Sequence, residues 1–146
     1  MPSAKTQRWL WGLSGFVGLM LLIIPFPTTA VPEWRVRVID PEGEPVAGVW
    51  VRQAWKHYSL QLEGGENFDE RWSDKNGYVV FPEKRITKGL LHRIVLIALT
   101  GLLTLAHGST GVHASVWAVT DKCSSEFLDY AASKPLADTA RLKCAR

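Results

Sequence analysis

Hydrophobic and polar positions follow two different rhythms along this chain. From Trp9 to Ile24 it reads WLWGLSGFVGLMLLII, sixteen residues without a charge. A period of two takes over at 34–40, where Trp34, Val36 and Val38 point one way and Arg35 and Arg37 the other, which predicts a half-buried strand. The run 49–58 also predicts a strand, with Val49, Val51, Gln53 and Trp55 on one face and Trp50, Arg52, Ala54 and Lys56 on the other. Because both faces carry a Trp, that strand should be central or covered in part on its second side. Phe68, Glu70 and Trp72 alternate with Asp69, Arg71 and Ser73, and Tyr78–Phe81 returns after a turn. His113–Thr120 resumes the strand pattern, and Ser124 or Ser125 could cap a short helix through Ala132.

Between these runs lie turn-forming residues. Pro41 and Gly43 stop the first strand, and Pro45 resists its continuation as a central one. In DKNG (74–77), Asp74 can accept a hydrogen bond from its own backbone two residues on, and Asn76-Gly77 tolerates positive φ. Short strands separated by such turns predict an antiparallel sandwich rather than alternating strands and helices. The motifs VRVIDPEGEPVAGVWV (36–51) and SDKNGYVVFP (73–82) resemble the carboxypeptidase-regulatory-like domains, small Greek-key sandwiches related in fold to transthyretin. The landmarks are Asp40, Gly43, Pro45, Val46, Gly48 and Val49, then Asp74, Gly77, Tyr78 and Phe81. The resemblance implies an all-β, prealbumin-like fold outside the cytoplasm and an accessory, adhesive or carbohydrate-associated role. It carries over no catalytic residue.

The ends of the apolar runs decide topology. Lys5 and Arg8 are the only charged residues before Glu33, and PFPTTA follows the apolar core, the order expected of an export signal. A cut after Ala30 would leave residues 31–146 as a single domain; the alternative is a retained anchor over 1–30. Either reading places the remainder outside the cytoplasm, in a periplasm or cell envelope, because the positive charge precedes the apolar run. The second run, 88–106, departs from the resembling domains. From Ile94 to Val112 there is no charge over nineteen residues, long enough to raise a membrane span. A helix there would place Leu90, Leu91, Ile94, Ile97 or Ala98 and Leu102 on one stripe, with Leu96, Leu99 and Leu103 off it. It is expected as a buried crossover helix, a self-association surface, or a membrane contact together with 9–27. Two spans, about 9–27 and 90–110, make the competing integral-membrane reading.

Charge and cysteine content narrow the classes. The 146-residue chain has 17 Lys or Arg against 14 Asp or Glu, and without its first thirty residues the net charge of +3 falls to +1. Interspersed signs of that kind fit a solvated surface and exclude a nucleic-acid stripe. Cys123 and Cys144 are the only cysteines. In an exported chain they favour a disulfide that pins the C-terminal tail over free thiols or a metal pair.

Signals for catalysis are sparse. His107 and His113 with Ser109 between them could form a nucleophilic pair, but GSTG is not a nucleophile elbow. The same histidines lack a third metal ligand at any usual spacing. Asp74 and Asn76 form only a fragment of a calcium loop. Glu63, Glu66, Asp69 and Glu70 would need a cleft to act as a glycosidase pair. No cofactor, metal or catalytic residue is therefore expected. Five tryptophans remain after the leader to build a core or mark a face, and Trp50, alternating with Arg52 and Lys56, is the exposed contact candidate. The sequence reads as a non-catalytic, envelope-associated binding or structural module with a protein or carbohydrate partner. A hydrolase using the His107–His113 region is the remaining alternative.

Overall fold

A computed structural model describes residues 4–61, 64–107, 111–130 and 134–144. From the N-terminus the elements are α1 (Ala4–Ile23), β1 (Pro25–Val31), β2 (Trp34–Ile39), β3 (Trp50–His57), β4 (Asn67–Trp72) and β5 (Tyr78–Phe81). They continue with β6 (Lys84–Gly89), α2 (Leu90–His107), β7 (Val112–Val119), β8 (Cys123–Ser125), β9 (Leu128–Asp129) and β10 (Thr139–Cys144). The chain is mostly β with two helices. One sheet runs β4-β3-β7-β8-β10-β2-β5, with β9 on β7, and a separate ribbon pairs β1 with β6. The end strands β4 and β5 approach each other, so the large sheet curls almost closed.

Alternation becomes burial in this sheet. Trp34, Val36 and Val38 of β2 are fully buried and meet Val51, Phe81, Val116 and Ala140 in one core. β3 is central, as the Trp on each face predicts, flanked by β4 and β7 in antiparallel register. The turn before β5 forms through side-chain capping. Asp74 Oδ1 accepts from the backbone N–H of Asn76 and of Tyr78, each at 2.8 Å. Gly77 there has φ 77°, and a Cβ on it would lie 2.6 Å from the Val38 carbonyl oxygen, so only glycine fits. Sheet pairing also overrides the helix expected from Ser124 or Ser125. Ser124 and Ser125 pair with Lys143 and Leu142 of β10, and Leu128 pairs with Val116 of β7. Of that expected helix, Ala131 and Ala132 lie outside the described residues. The Cys123–Cys144 disulfide expected from the sequence is present, with S–S 2.01 Å, and ties β8 to β10.

The second region is an arm. The segment PFPTTA forms β1, paired along its length with β6 from Pro25↔Gly89 to Val31↔Lys84. Prolines are tolerated there because the ribbon has only two strands. The boundary after Ala30 therefore falls inside a strand, with Ala30 3% and Val31 0% exposed. Ala30 joins Leu60 and Ile86 in a small cluster that Leu96 of α2 covers. α2 starts at the ribbon tip and turns back along it. Gly89 marks the crossing with α1, since a Cβ there would lie 2.5 Å from the Ile23 carbonyl oxygen. Arg93 fastens α2 down. It is 9% exposed, and its guanidinium donates to the carbonyls of Lys88 (3.0 Å), Phe26 (2.8 Å) and Ile86 (3.3 Å) while stacking 4.2 Å over the Phe26 ring.

The face of α2 that packs inward is thus Arg93, Leu96 and Thr100, spaced three and four apart. The stripe expected from composition, Leu90, Leu91, Ile94, Ile97 and Leu102, faces outward instead. Among the described residues no helix is long and apolar enough to cross a membrane, which corrects the two-span reading and its transmembrane helices. The reasons are local. α1 opens on the polar Lys5-Thr6-Gln7-Arg8 and ends at Ile23, where 25–27 turns to strand; α2 has His92 and Arg93 near its start.

Candidate functional site

The outer face of the β4-β3-β7 sheet gathers aromatic side chains around one guanidinium. Register sets Trp50 beside Trp72 and Arg52 beside Glu70 on β4; on β7, Arg52 faces Trp117. Ala54 lies beside Phe68, completing the face. The Arg52 guanidinium lies 4.5 Å from the Trp50 ring centre, 5.2 Å from Phe68 and 6.0 Å from Trp117. Its Nε donates to Glu70 at 2.9 Å, so the cation stays neutralised while it stacks. Phe127 tilts against Trp117 with 5.0 Å between centroids. Trp72, Phe127 and Phe68 remain 68%, 62% and 54% exposed. At one end, Gly48, Trp50, Trp72, Val119, Thr120 and Asp121 line an open groove of about 500 Å³. Flat aromatic surface beside hydrogen-bonding groups gives contact area with little side-chain entropy to lose.

Of the contact residues expected from sequence, Trp50 and Arg52 meet on this face. Lys56 turns away, its Nζ donating to the Gly64 carbonyl at 2.8 Å. Trp72, Phe68, Trp117 and Phe127 are the residues that sequence reasoning did not single out. Their signal was the alternation of 68, 70 and 72, readable as an outer face only once paired with 54, 52 and 50. Only Trp34 among the five domain tryptophans is fully buried, so the aromatic content serves a surface more than a core.

The other candidate chemistry disperses. His107 ends α2, Ser109 lies outside the described residues, and His113 is exposed on β7. Among the described residues no cluster of three His, Cys, Asp or Glu could hold a metal. Glu63 lies outside the described residues. Asp69 and Glu70 point to opposite faces of β4, Asp69 to Lys84 (2.6 Å) and Arg71 (3.4 Å), Glu70 to Arg52. Burial pushes the Asp69 carboxyl up, but the Lys84 hydrogen bond and the Lys84 and Arg71 charges hold it below the usual range. His57 is pushed down by burial; the bond with its own backbone opposes this and the Arg93 charge adds to it. Its Nδ1 is buried and has no other partner among the described residues.

The second surface is the arm. α1 leaves Trp9 77%, Trp11 72%, Leu13 57% and Phe16 58% exposed, and α2 leaves Ile94 53%, Val95 55% and Leu102 69% exposed. Where the helices meet, Leu22, Ile23, Gly89, Leu91, His92, Val95 and Leu96 line an apolar groove of about 420 Å³. Monomeric soluble proteins rarely expose contiguous apolar patches larger than roughly a few hundred Å².

No protein-family model and no curated protein matches the sequence. A solved structure, 3-chlorocatechol 1,2-dioxygenase from Rhodococcus opacus 1CP, is similar over 70% of this chain and 43% of its own, at 19% identity and a TM-score of 0.38. The chain thus spans less than half the length of that protein.

Proposed function

We propose that this chain is a non-catalytic binding module of a cell envelope, held at a membrane by its arm and presenting an aromatic sheet face to a protein or carbohydrate partner. The domain that carries the face is a small Greek-key, prealbumin-like sandwich in this reading. The observation that carries the reading is the arm. Its exposed apolar helices are joined to the sheet by β1 and β6 rather than by a loose linker, so the membrane-facing part belongs to the fold. The leader is then retained as an anchor, since cleavage after Ala30 would strip β6 of most of its partner strand β1 and open the Ala30–Leu60–Ile86 cluster. The disulfide and the basic-then-apolar N-terminus support an extracytoplasmic position for the domain.

Alkaline carbonate extraction of cells expressing the full chain, with intact-mass measurement of the product, tests this. The expected outcome is a membrane pellet containing a species that retains residues 25–31. A soluble product beginning at residue 31 would overturn the anchored reading.

A further inference from the structure

Folding sorts the charges that look interspersed in the sequence. Residues 4–32 and 84–107, which supply the arm, hold six Lys or Arg and no Asp or Glu. The rest of the chain holds eleven Lys or Arg against fourteen Asp or Glu. The arm is therefore net +6 and the remainder net −3, a division that the overall +3 conceals. The part with exposed apolar side chains is also the purely cationic part.

Within the arm the charges are used differently. Lys84 is tied to Asp69 at 2.6 Å and Arg93 to three backbone carbonyls. Arg85 makes an exposed ion pair with Glu83, a kind that screens readily and is worth little. Lys88 has no carboxylate partner among the described residues and stands at the ribbon tip, one residue before Gly89 of the apolar groove. His92, one turn into α2, is the polar member of that groove's lining. Lys88 thus adjoins the lining through Gly89 and His92 belongs to it, while the other lining residues are apolar.

We propose that the arm binds anionic phospholipid, Lys88 and His92 meeting the phosphate-bearing headgroup and the acyl chains covering the groove between α1 and α2. This rests on the membrane-anchored reading and deepens it. The charge division fits a negative lipid surface twice over: the arm is attracted, and the acidic domain is repelled and held clear with its aromatic face unobstructed. Apolar exposure alone would accept any bilayer; the added basic residues are what distinguish an anionic one.

The test is flotation of the full-length chain with vesicles of phosphatidylcholine alone or with phosphatidylglycerol added. Partition should rise by about five-fold or more with the anionic lipid, at roughly a factor of five for each engaged basic side chain. It should fall back as salt is raised from about 0.1 M to about 0.5 M. Lys88→Ala with His92→Ala should remove most of that preference and leave both partition onto neutral vesicles and the circular dichroism of the chain unchanged. Equal partition onto both lipids would overturn this inference and leave the anchor standing. An anionic preference that survives the double variant would overturn its assignment to the ribbon tip. No partition onto either lipid would overturn the anchored reading itself, and this inference with it.

Discussion

The β domain and the arm draw on similar apolar residues and use them in opposite ways. In the domain, Val36, Val38, Val51, Val116 and Phe81 are all 0% exposed. In the arm, Leu10, Leu13, Leu19, Leu21, Ile94, Ile97 and Leu102 are all at least half exposed. The difference lies in periodicity rather than in hydrophobicity. A strand that alternates offers one apolar face, and a single opposing layer can bury it. A helix that is apolar all round has no such solution against one neighbour. Among the described residues α2 packs inward through Arg93, Leu96 and Thr100, and α1 meets α2 near its C-terminal end. What remains apolar on them stays exposed.

The largest expected effect breaks this comparison directly. Phe81→Ala deletes a fully buried ring from the core and should cost about 3–5 kcal/mol in denaturant unfolding. Leu13→Ala deletes an exposed arm side chain and should change that unfolding by less than about 0.5 kcal/mol in detergent. Its expected readout is membrane partition instead. If Leu13→Ala destabilised the domain as Phe81→Ala does, the arm would have to be packed against protein in the working molecule.

Legibility in the sequence divides along the same line. Strands β2, β3, β4, β5 and β7 could be read because their period of two survives in isolation, and the DKNG turn because Asp74 and Gly77 have specific local work. β6, KRITKG, was not readable: its alternation places only Ile86 inside, and its reason to be a strand is β1, more than fifty residues away. PFPTTA read as the end of an export signal because nothing local shows it paired. β8 and β9 read as a helix because local propensity cannot register strand partners from β10 and β7. Arg52 was singled out for the aromatic face, but four of its companions depend on β4 and β7 pairing in register with β3.

A smaller effect sharpens what the domain core tolerates. Gln53 stands on the inner face of β3 at 0% exposure, and both its amide nitrogen and its carbonyl oxygen lack a hydrogen-bond partner. Burying an unpaired amide costs about 1–3 kcal/mol on mutational scales. Gln53→Leu keeps a similar volume and removes both polar atoms, so it should raise the unfolding free energy by roughly that amount, measured by urea denaturation. An unchanged or lower stability would mean that the amide is satisfied, for instance by internal water. Among the described residues the arm offers no equivalent site, and its buried Arg93 donates to three carbonyls.

The smallest effect concerns the junction between the two regions, where two titrating groups stand. Asp69 of β4 holds Lys84 of β6, and its carboxyl is held below the ordinary 3.8. That tie is at full strength above about pH 4 and is lost as pH falls through the lowered value, when the carboxyl takes up its proton. His57 of β3 behaves in another window. Its imidazole is held below the ordinary 6.5, so the folded chain resists the proton that the unfolded chain accepts. Stability should therefore be complete above pH 6.5 and decline as pH drops below it, before Asp69 begins to titrate. Because Arg93 contributes to the depression, the loss should first appear where α2 meets the domain. Hydrogen exchange at pH 7.5 and at about 5.5, corrected for intrinsic rates, should show faster opening of β6 and α2 amides at the lower pH while β2 and β7 hold. His57→Gln should abolish that difference. If it persisted in the variant, the pH dependence would belong to another group, and the junction would not be where acid separates the arm from the domain.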